Sequence, residues 1–143
     1  MTATITVSHN FETAHRLPHL PGKCVSLHGH SWWTDITVTA PEPDTDGVVI
    51  EFGAFKKALR AWIDEHLDHG VMLGSGDPLL GPLLDSGTKV FLVPGWPTVE
   101  NVARLLADVA TELLASVPHV DGAQVAHVEV QETRVNRAGW RAA

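Results

Sequence analysis

Residues 32–39 read Trp32-Trp33-Thr34-Asp35-Ile36-Thr37-Val38-Thr39. Trp32, Thr34, Ile36 and Val38 share one face and Trp33, Asp35, Thr37 and Thr39 the other, the alternation of a half-buried strand. Upstream, Thr4-Ile5-Thr6-Val7-Ser8-His9 alternates in the same way. The stretch 10–31 between them is rich in histidine and broken by Pro18, Pro21 and Gly22, so it reads as a loop. Downstream, Pro41, Pro43, Asp44, Asp46 and Gly47 make a turn. Phe52, Phe55, Leu59, Trp62, Ile63 and Leu67 then recur at helical spacing.

The segment 70–97 is rich in Gly and Pro and reads as a long connection, with a short strand available at Lys89–Val93. A second helix is expected from Thr98 to about Val117. Pro97 precedes it, Thr98 serves as N-cap, and Val102, Leu105, Leu106, Val109, Leu113 and Leu114 form its stripe. Gln124 to Thr133 alternates as a third strand, and the chain around Gly139-Trp140-Arg141 suits a fourth. The order is ββααββ. It predicts the α+β class, with an antiparallel four-stranded sheet and two helices on one face, as a single domain over residues 1–143. Such a sheet leaves two open edges, so a homo-oligomer is expected.

Ten Lys and Arg stand against 17 Asp and Glu, a formal charge of −7, which argues against nucleic acid or an anionic membrane as a general partner. No run approaches the roughly 18 apolar residues of a membrane span. No secretory leader is visible, and the single cysteine excludes an internal disulfide and fits a reducing compartment, so a cytoplasmic location is expected. Charge is uneven along the chain. Residues 1–34 hold one acid, Glu12, against Arg16, Lys23 and five histidines, and the tail after Glu132 carries Arg134, Arg137 and Arg141 with no acid. Locally basic ends suit a small anionic ligand.

The chemistry concentrates in Cys24-Val25-Ser26-Leu27-His28-Gly29-His30, with His15 upstream. His28 and His30 are two apart, so on an extended backbone both imidazoles point to one face. With His15 they would make a three-histidine site that holds zinc and keeps one coordination position open, as catalytic zinc requires. Cys24, near Lys23 and a bound cation, has the surroundings that favour a thiolate. It would act as a general base beside the metal or as a fourth ligand that closes the site. Asp68 and His69 follow the first helix, and a carboxylate can orient an imidazole for acid–base work. Glu132 ends the apolar face Ala126, Val128, Val130, where a buried carboxylate needs a hydrogen-bonding partner such as the paired N–H groups of a heterocycle. Glu100 falls in the first turn of the second helix, where the dipole already favours a carboxylate. His9 and His19 lack such patterning. No GxSxG, P-loop or dinucleotide-binding pattern occurs.

Five spaced motifs resemble the 6-pyruvoyl-tetrahydropterin synthase family. They are Phe11-Glu12-Thr13-Ala14-His15-Arg16-Leu17-Pro18-His19, Cys24-x3-His28-Gly29-His30, Leu67-Asp68-His69, Pro97-Thr98-x-Glu100-Asn101 and Val130-Gln131-Glu132-Thr133. The gap between Cys24 and His28 is similar to that of the family's bacterial 6-carboxy-5,6,7,8-tetrahydropterin synthase branch. The resemblance implies a tunnelling fold whose sheets close a barrel, with two trimers stacked as a hexamer and active sites between subunits. It implies Zn2+ held by His15, His28 and His30, Cys24 as proton acceptor, and His69, oriented by Asp68 and supplied by a neighbouring subunit, as proton relay. Glu132, with Glu100 and Thr98, would anchor the pterin ring. The implied substrate is 7,8-dihydroneopterin triphosphate, and the implied products are triphosphate, acetaldehyde and a 6-carboxy pterin on the way to queuosine or another deazapurine. The charge distribution suggests Arg16 and Lys23 for the triphosphate. A 6-pyruvoyl-tetrahydropterin synthase and a non-catalytic pterin-binding homologue are the other readings. The chain departs from the family's Leu-Asp-His-x-x-Leu-Asn pattern at Gly70-Val71-Met72-Leu73-Gly74, and its 70–97 connection is longer than in compact members.

Overall fold

A computed structural model describes all residues, Met1–Ala143. Two long strands, β1 (Ala3–His15) and β2 (His28–Ala40), pair antiparallel along their whole length, from Ala3 opposite Ala40 to His15 opposite His28. Helix α1 (Phe52–His66) follows. Next come β3 (Gly70–Gly74), the short α2 (Leu80–Asp85), β4 (Val90–Val93), α3 (Val99–Leu114), β5 (Gln124–Thr133) and β6 (Asn136–Arg141).

The sheet has six strands in the order β4-β3-β1-β2-β5-β6 and is mixed, which corrects the expectation of four antiparallel strands. The expected ββ…ββ half is present as the antiparallel run β1-β2-β5-β6. The added strands β3 and β4 run parallel to β1. They come from the segment expected to be mostly connection, and the strand foreseen at Lys89–Val93 is β4. β3 is five residues, glycine at both ends and buried throughout, too short and too unpatterned for a period-2 signal. A third helix, α2, was not expected; its six residues carry Pro82. Both hairpin strands are longer than the alternation suggested, so residues 10–15 and 28–31 are strand rather than loop. Inward alternation does continue through Val7, His9, Phe11, Thr13 and His15, all buried, but polar side chains replace the apolar ones that mark a strand.

Helices α1 and α3 begin where side chains cap them. Glu51 accepts from the Ala54 N–H, and Thr98 accepts from the Asn101 N–H. Their apolar stripes, Phe55, Leu59 and Ile63 on α1 and Val102, Leu106 and Ala110 on α3, meet Phe11, Trp32, Ile36, Val128 and Val130 of the sheet in one continuous core. The opposite face is polar: Thr6 bonds Thr37, Ser8 bonds Asp35, and Ser31 links Asn10 to Glu12. No helix is long and apolar enough to cross a membrane.

Leu106 is fully buried at the centre of this core. Leu106→Ala should lower unfolding free energy by about 2–5 kcal/mol, the cost of lost burial plus cavity. A guanidinium titration checks this, with the midpoint falling and the slope unchanged.

Candidate metal centre and active site

The β1–β2 register brings the three histidines together. His15 lies directly opposite His28, and Thr13 opposite His30, so His30 projects one step along the same inward face. One ring nitrogen from each of His15, His28 and His30 falls within 4.8 Å of the others. The fully buried Trp32 lies beneath, edge-on to His15 at 5.0 Å and to His30 at 5.6 Å, and stacked on Phe11. Its indole N–H donates to the Thr13 carbonyl at 3.1 Å, which locks the platform to β1.

Two rings are fixed as tautomers. His15 Nδ1 lies 2.7 Å from the Pro97 carbonyl and His28 Nδ1 2.7 Å from the Ser26 carbonyl. A carbonyl only accepts, so both rings carry a proton on Nδ1, the outer hydrogen bond typical of metal-ligating histidine. Their Nε2 atoms are left to face the cluster. His15 Nε2 and His30 Nε2 are buried without a hydrogen-bond partner, while Glu132 Oε1 stands 3.1 Å from the first and 3.7 Å from the second. Acceptors facing acceptors at that distance need a cation or a proton between them. His15 holds the Glu132 carboxyl below the usual range, against the opposing effect of burial. Burial pushes His30 below the usual histidine range, and His15 and His28 add to this against Glu132. Imidazole nitrogens suit a borderline transition metal. The donor set fits the zinc expected from the sequence.

The other expected residues fall around this cluster. Glu132 ends the inward face of β5 after Val128 and Val130, as expected, but its carboxylate turns onto the histidines. Cys24 is exposed on a 3-10 turn, Lys23–Val25, and its thiol is not part of the convergent set. Lys23 is exposed beside it. Thr98 is the α3 N-cap, and Glu100 lies exposed in that helix's first turn. Arg16 is not a free cation: its Nε and Nη2 both donate to the buried carboxylate of Asp77, so the triphosphate role read from charge alone has a competitor in place.

Asp68 and His69 pair at 2.9 Å although they are adjacent in sequence. His69 adopts φ 58°, the left-handed region that non-glycine residues rarely enter. The turn is held on β1: Asp68 Oδ1 accepts from the Glu12 N–H at 2.8 Å, and the His69 N–H donates to the Glu12 carbonyl at 2.6 Å. The His69 ring itself is 79% exposed. Burial opposes ionisation of Asp68, but the Glu12 N–H and the His69 ring outweigh it and hold its carboxyl below the usual range. A shallow depression of about 370 Å³ along Glu12, Thr13, Gly29, His30, Ser31 and Gly70 adjoins this turn.

Several supporting residues escaped the sequence reading. Pro97 and Ser26 act through carbonyls and Glu12 through its backbone, contributions that residue identity does not encode. Asp77 escaped as well, although it stands as an acid in a Gly- and Pro-rich stretch.

The chain, with its three-histidine centre at the end of a sheet backed by helices, belongs to the 6-pyruvoyl tetrahydropterin synthase family, whose model matches residues 4–143. Among its relatives, the 6-carboxy-5,6,7,8-tetrahydropterin synthase of Rickettsia bellii is 38% identical over 95 residues, covering 65% of this chain and 69% of that one. The protein of the same name from Aquifex aeolicus is 30% identical over 124 residues, 83% of this chain and 76% of that one. The fold is similar to that of an uncharacterized Wolinella succinogenes protein, with TM-score 0.84, 20% identity and coverage of 100% and 99% of the two chains. It also matches Caenorhabditis elegans 6-pyruvoyl tetrahydropterin synthase, with TM-score 0.69, 22% identity and coverage of 100% and 97%.

Because the carboxyl of Asp68 titrates lower when folded than when unfolded, its stabilising effect is complete above the unfolded value of about 3.9 and fades as pH falls through the folded one. Asp68→Asn removes that effect. Denaturant midpoints measured from about pH 6 down to 3 should show the variant less stable at the upper end, with a shallower acid decline.

Proposed function

We propose that this chain is a zinc-dependent 6-carboxy-5,6,7,8-tetrahydropterin synthase, a lyase that converts 7,8-dihydroneopterin triphosphate to the 6-carboxy pterin with release of triphosphate and acetaldehyde. The observation that carries the reading is the buried, unpartnered Nε2 pair of His15 and His30, with His28 completing the set. The names of the Rickettsia and Aquifex relatives support the product. A cation held by His15, His28 and His30 would supply Lewis acidity toward the substrate's side-chain hydroxyls, easing loss of their protons.

The remaining steps belong to the chain's own residues. Cys24 Sγ takes the proton, and His69, oriented by Asp68, moves protons at the opposite side of the substrate. Glu132, whose Oε1 lies against His15 and His30, offers its other carboxylate oxygen as acceptor to the pterin ring, with Thr98 and Glu100 at its border. Lys23, exposed and in no ion pair, faces the triphosphate, while Arg16 contributes through the residual field of its pair with Asp77. The product is a precursor of queuosine or a related deazapurine, made in the cytoplasm.

The exposed His69 ring fits a site completed by a neighbouring subunit, and the sheet edges fit a barrel. β3 pairs only with Thr13–His15 of β1, so the rest of β1's outer edge has no strand partner in the protomer, and β6 is an open edge at the other side. Three sheets joined β1 to β6, stacked as two trimers, give the hexamer of this reading.

A second reading, 6-pyruvoyl-tetrahydropterin synthase, is favoured by the description of the matching family model. Incubating the zinc-loaded protein with 7,8-dihydroneopterin triphosphate and identifying products by mass spectrometry separates the two. The 6-carboxy pterin with acetaldehyde is expected; a product that keeps its three-carbon side chain would overturn the assignment. Cys24→Ala should lower turnover by roughly 10²–10⁴-fold with zinc content unchanged, as loss of a general base does. His28→Ala should lose zinc and turnover together, and zinc retained at wild-type stoichiometry would remove it as a ligand.

A further inference from the structure

The loop that carries Cys24 is tied down by residues of the lengthened 70–97 segment. Two contacts do this, and one bond within the loop closes it on itself. Arg16, at the loop's start, forms a two-pronged ion pair with Asp77, whose side chain is fully buried. Asp77 is itself held by the Leu79 N–H, which donates to Oδ1 at 2.9 Å. Inside the loop, the Leu17 N–H donates to the carbonyl of Cys24 at 2.7 Å, closing residues 17–24 into a ring. Further along, the His19 ring stacks on Trp96, centroids 4.6 Å apart and planes within 14°.

Trp96 is a prepared seat. It lies against Gly74 at the end of β3, where a methyl group would overlap the indole, and its carbonyl accepts from the Thr98 N–H and from Asn101 Nδ2 at 2.8 Å each. The next residue, Pro97, supplies the carbonyl that orients His15. One short segment therefore holds both a histidine of the metal cluster and the loop that bears the thiol.

The geometry points to Asp77 and Trp96 as positioning residues that clamp the 16–27 loop and so fix where Cys24 presents its sulfur relative to the three-histidine centre. Neither touches substrate. Their effect on turnover rests on the reading of Cys24 as proton acceptor; the clamp itself does not. A base displaced by about 1 Å costs up to roughly a hundredfold in rate, which is the scale such a clamp protects.

The test compares wild type, Asp77→Asn, Trp96→Ala, Trp96→Phe and His19→Ala as zinc-loaded full-length proteins. The first readout is the rate of tryptic cleavage after Lys23, giving fragments 1–23 and 24–143, because proteolysis of a folded chain tracks local opening. The second is kcat and KM for 7,8-dihydroneopterin triphosphate, with zinc content as control. Asp77→Asn, Trp96→Ala and His19→Ala should be cut several times faster after Lys23. Their kcat should fall about tenfold or more at wild-type zinc content, with little change in KM for Trp96→Ala and His19→Ala. Trp96→Phe keeps an aromatic face and should restore both readouts. If Asp77→Asn or Trp96→Ala fails to fold, His19→Ala decides, since that side chain is exposed and its removal leaves the core untouched. Unchanged cleavage in the folded variants overturns the clamp. Faster cleavage with unchanged kcat leaves the clamp standing and removes Cys24's assigned role instead.

Discussion

The pairing of β1 with β2 is the constraint from which the site follows. Thirteen residues of each strand are in register, and at the far end of that ladder His15 faces His28 while Thr13 faces His30. A slip of one residue would send His28 and His30 to the polar face and expose Trp32, Thr34, Ile36 and Val38. The same apolar alternation that buries Ile36 and Trp32 therefore also aims the ligands. Core formation and site assembly are one event here, and no separate loop has to find its place for the three rings to meet. The Phe11–Trp32 stack, with the Trp32 indole bonded to the Thr13 carbonyl, stiffens the ladder at the point where packing gives way to chemistry.

At that point the electrostatics invert. Below it the face is mainly apolar, with His9 and Thr34 among its buried residues; at it stand three imidazoles and a half-buried carboxylate. Two of the rings donate their Nδ1 protons to carbonyls, so it is their Nε2 atoms that converge on the cluster. Such an arrangement is unfavourable in isolation and becomes favourable when a cation occupies it. The Glu132 carboxylate lying beside His15 and His30 has the sign that balances such a cation. Removing Glu132 would leave the rings in place yet alter the field they sit in.

Much of this was legible in residue order. The stripe on α1 from Phe55 onward, the N-cap Thr98, the bounds of β5 and the histidine pair flanking Gly29 all follow from periodicity and capping chemistry, and the structure has them where expected, while Phe52, read as the stripe's first member, is exposed. The ends of the hairpin strands were not legible. Thr13, His15, His28 and His30 occupy inward positions where a pattern reader looks for apolar residues, and function had replaced the signal. The strands β3 and β4 were obscured for a different reason: they are short, buried and parallel, and their pairing is set by tertiary contact rather than alternation. Nor does residue identity show that adjacent Asp68 and His69 can pair; that required the left-handed turn at His69 and two backbone bonds to Glu12.

The segment 68–97 was the least readable part of the chain and is the part that grips the end of β1. Glu12 exchanges backbone bonds with the Asp68–His69 turn. Thr13 Oγ1 donates to the Gly70 carbonyl at 3.0 Å, His15 to the Pro97 carbonyl, and Arg16 pairs with Asp77. With Ala14 opposite Val71, all five consecutive residues from Glu12 to Arg16 take a partner from this one stretch. A connection that merely spanned from α1 to α3 would need none of these bonds. β3 and β4 extend the sheet at the place where β1 carries chemistry and leave its other end open. The segment therefore acts locally: it builds a wall behind His15 and Arg16 and leaves the rest of β1's outer edge without a strand partner.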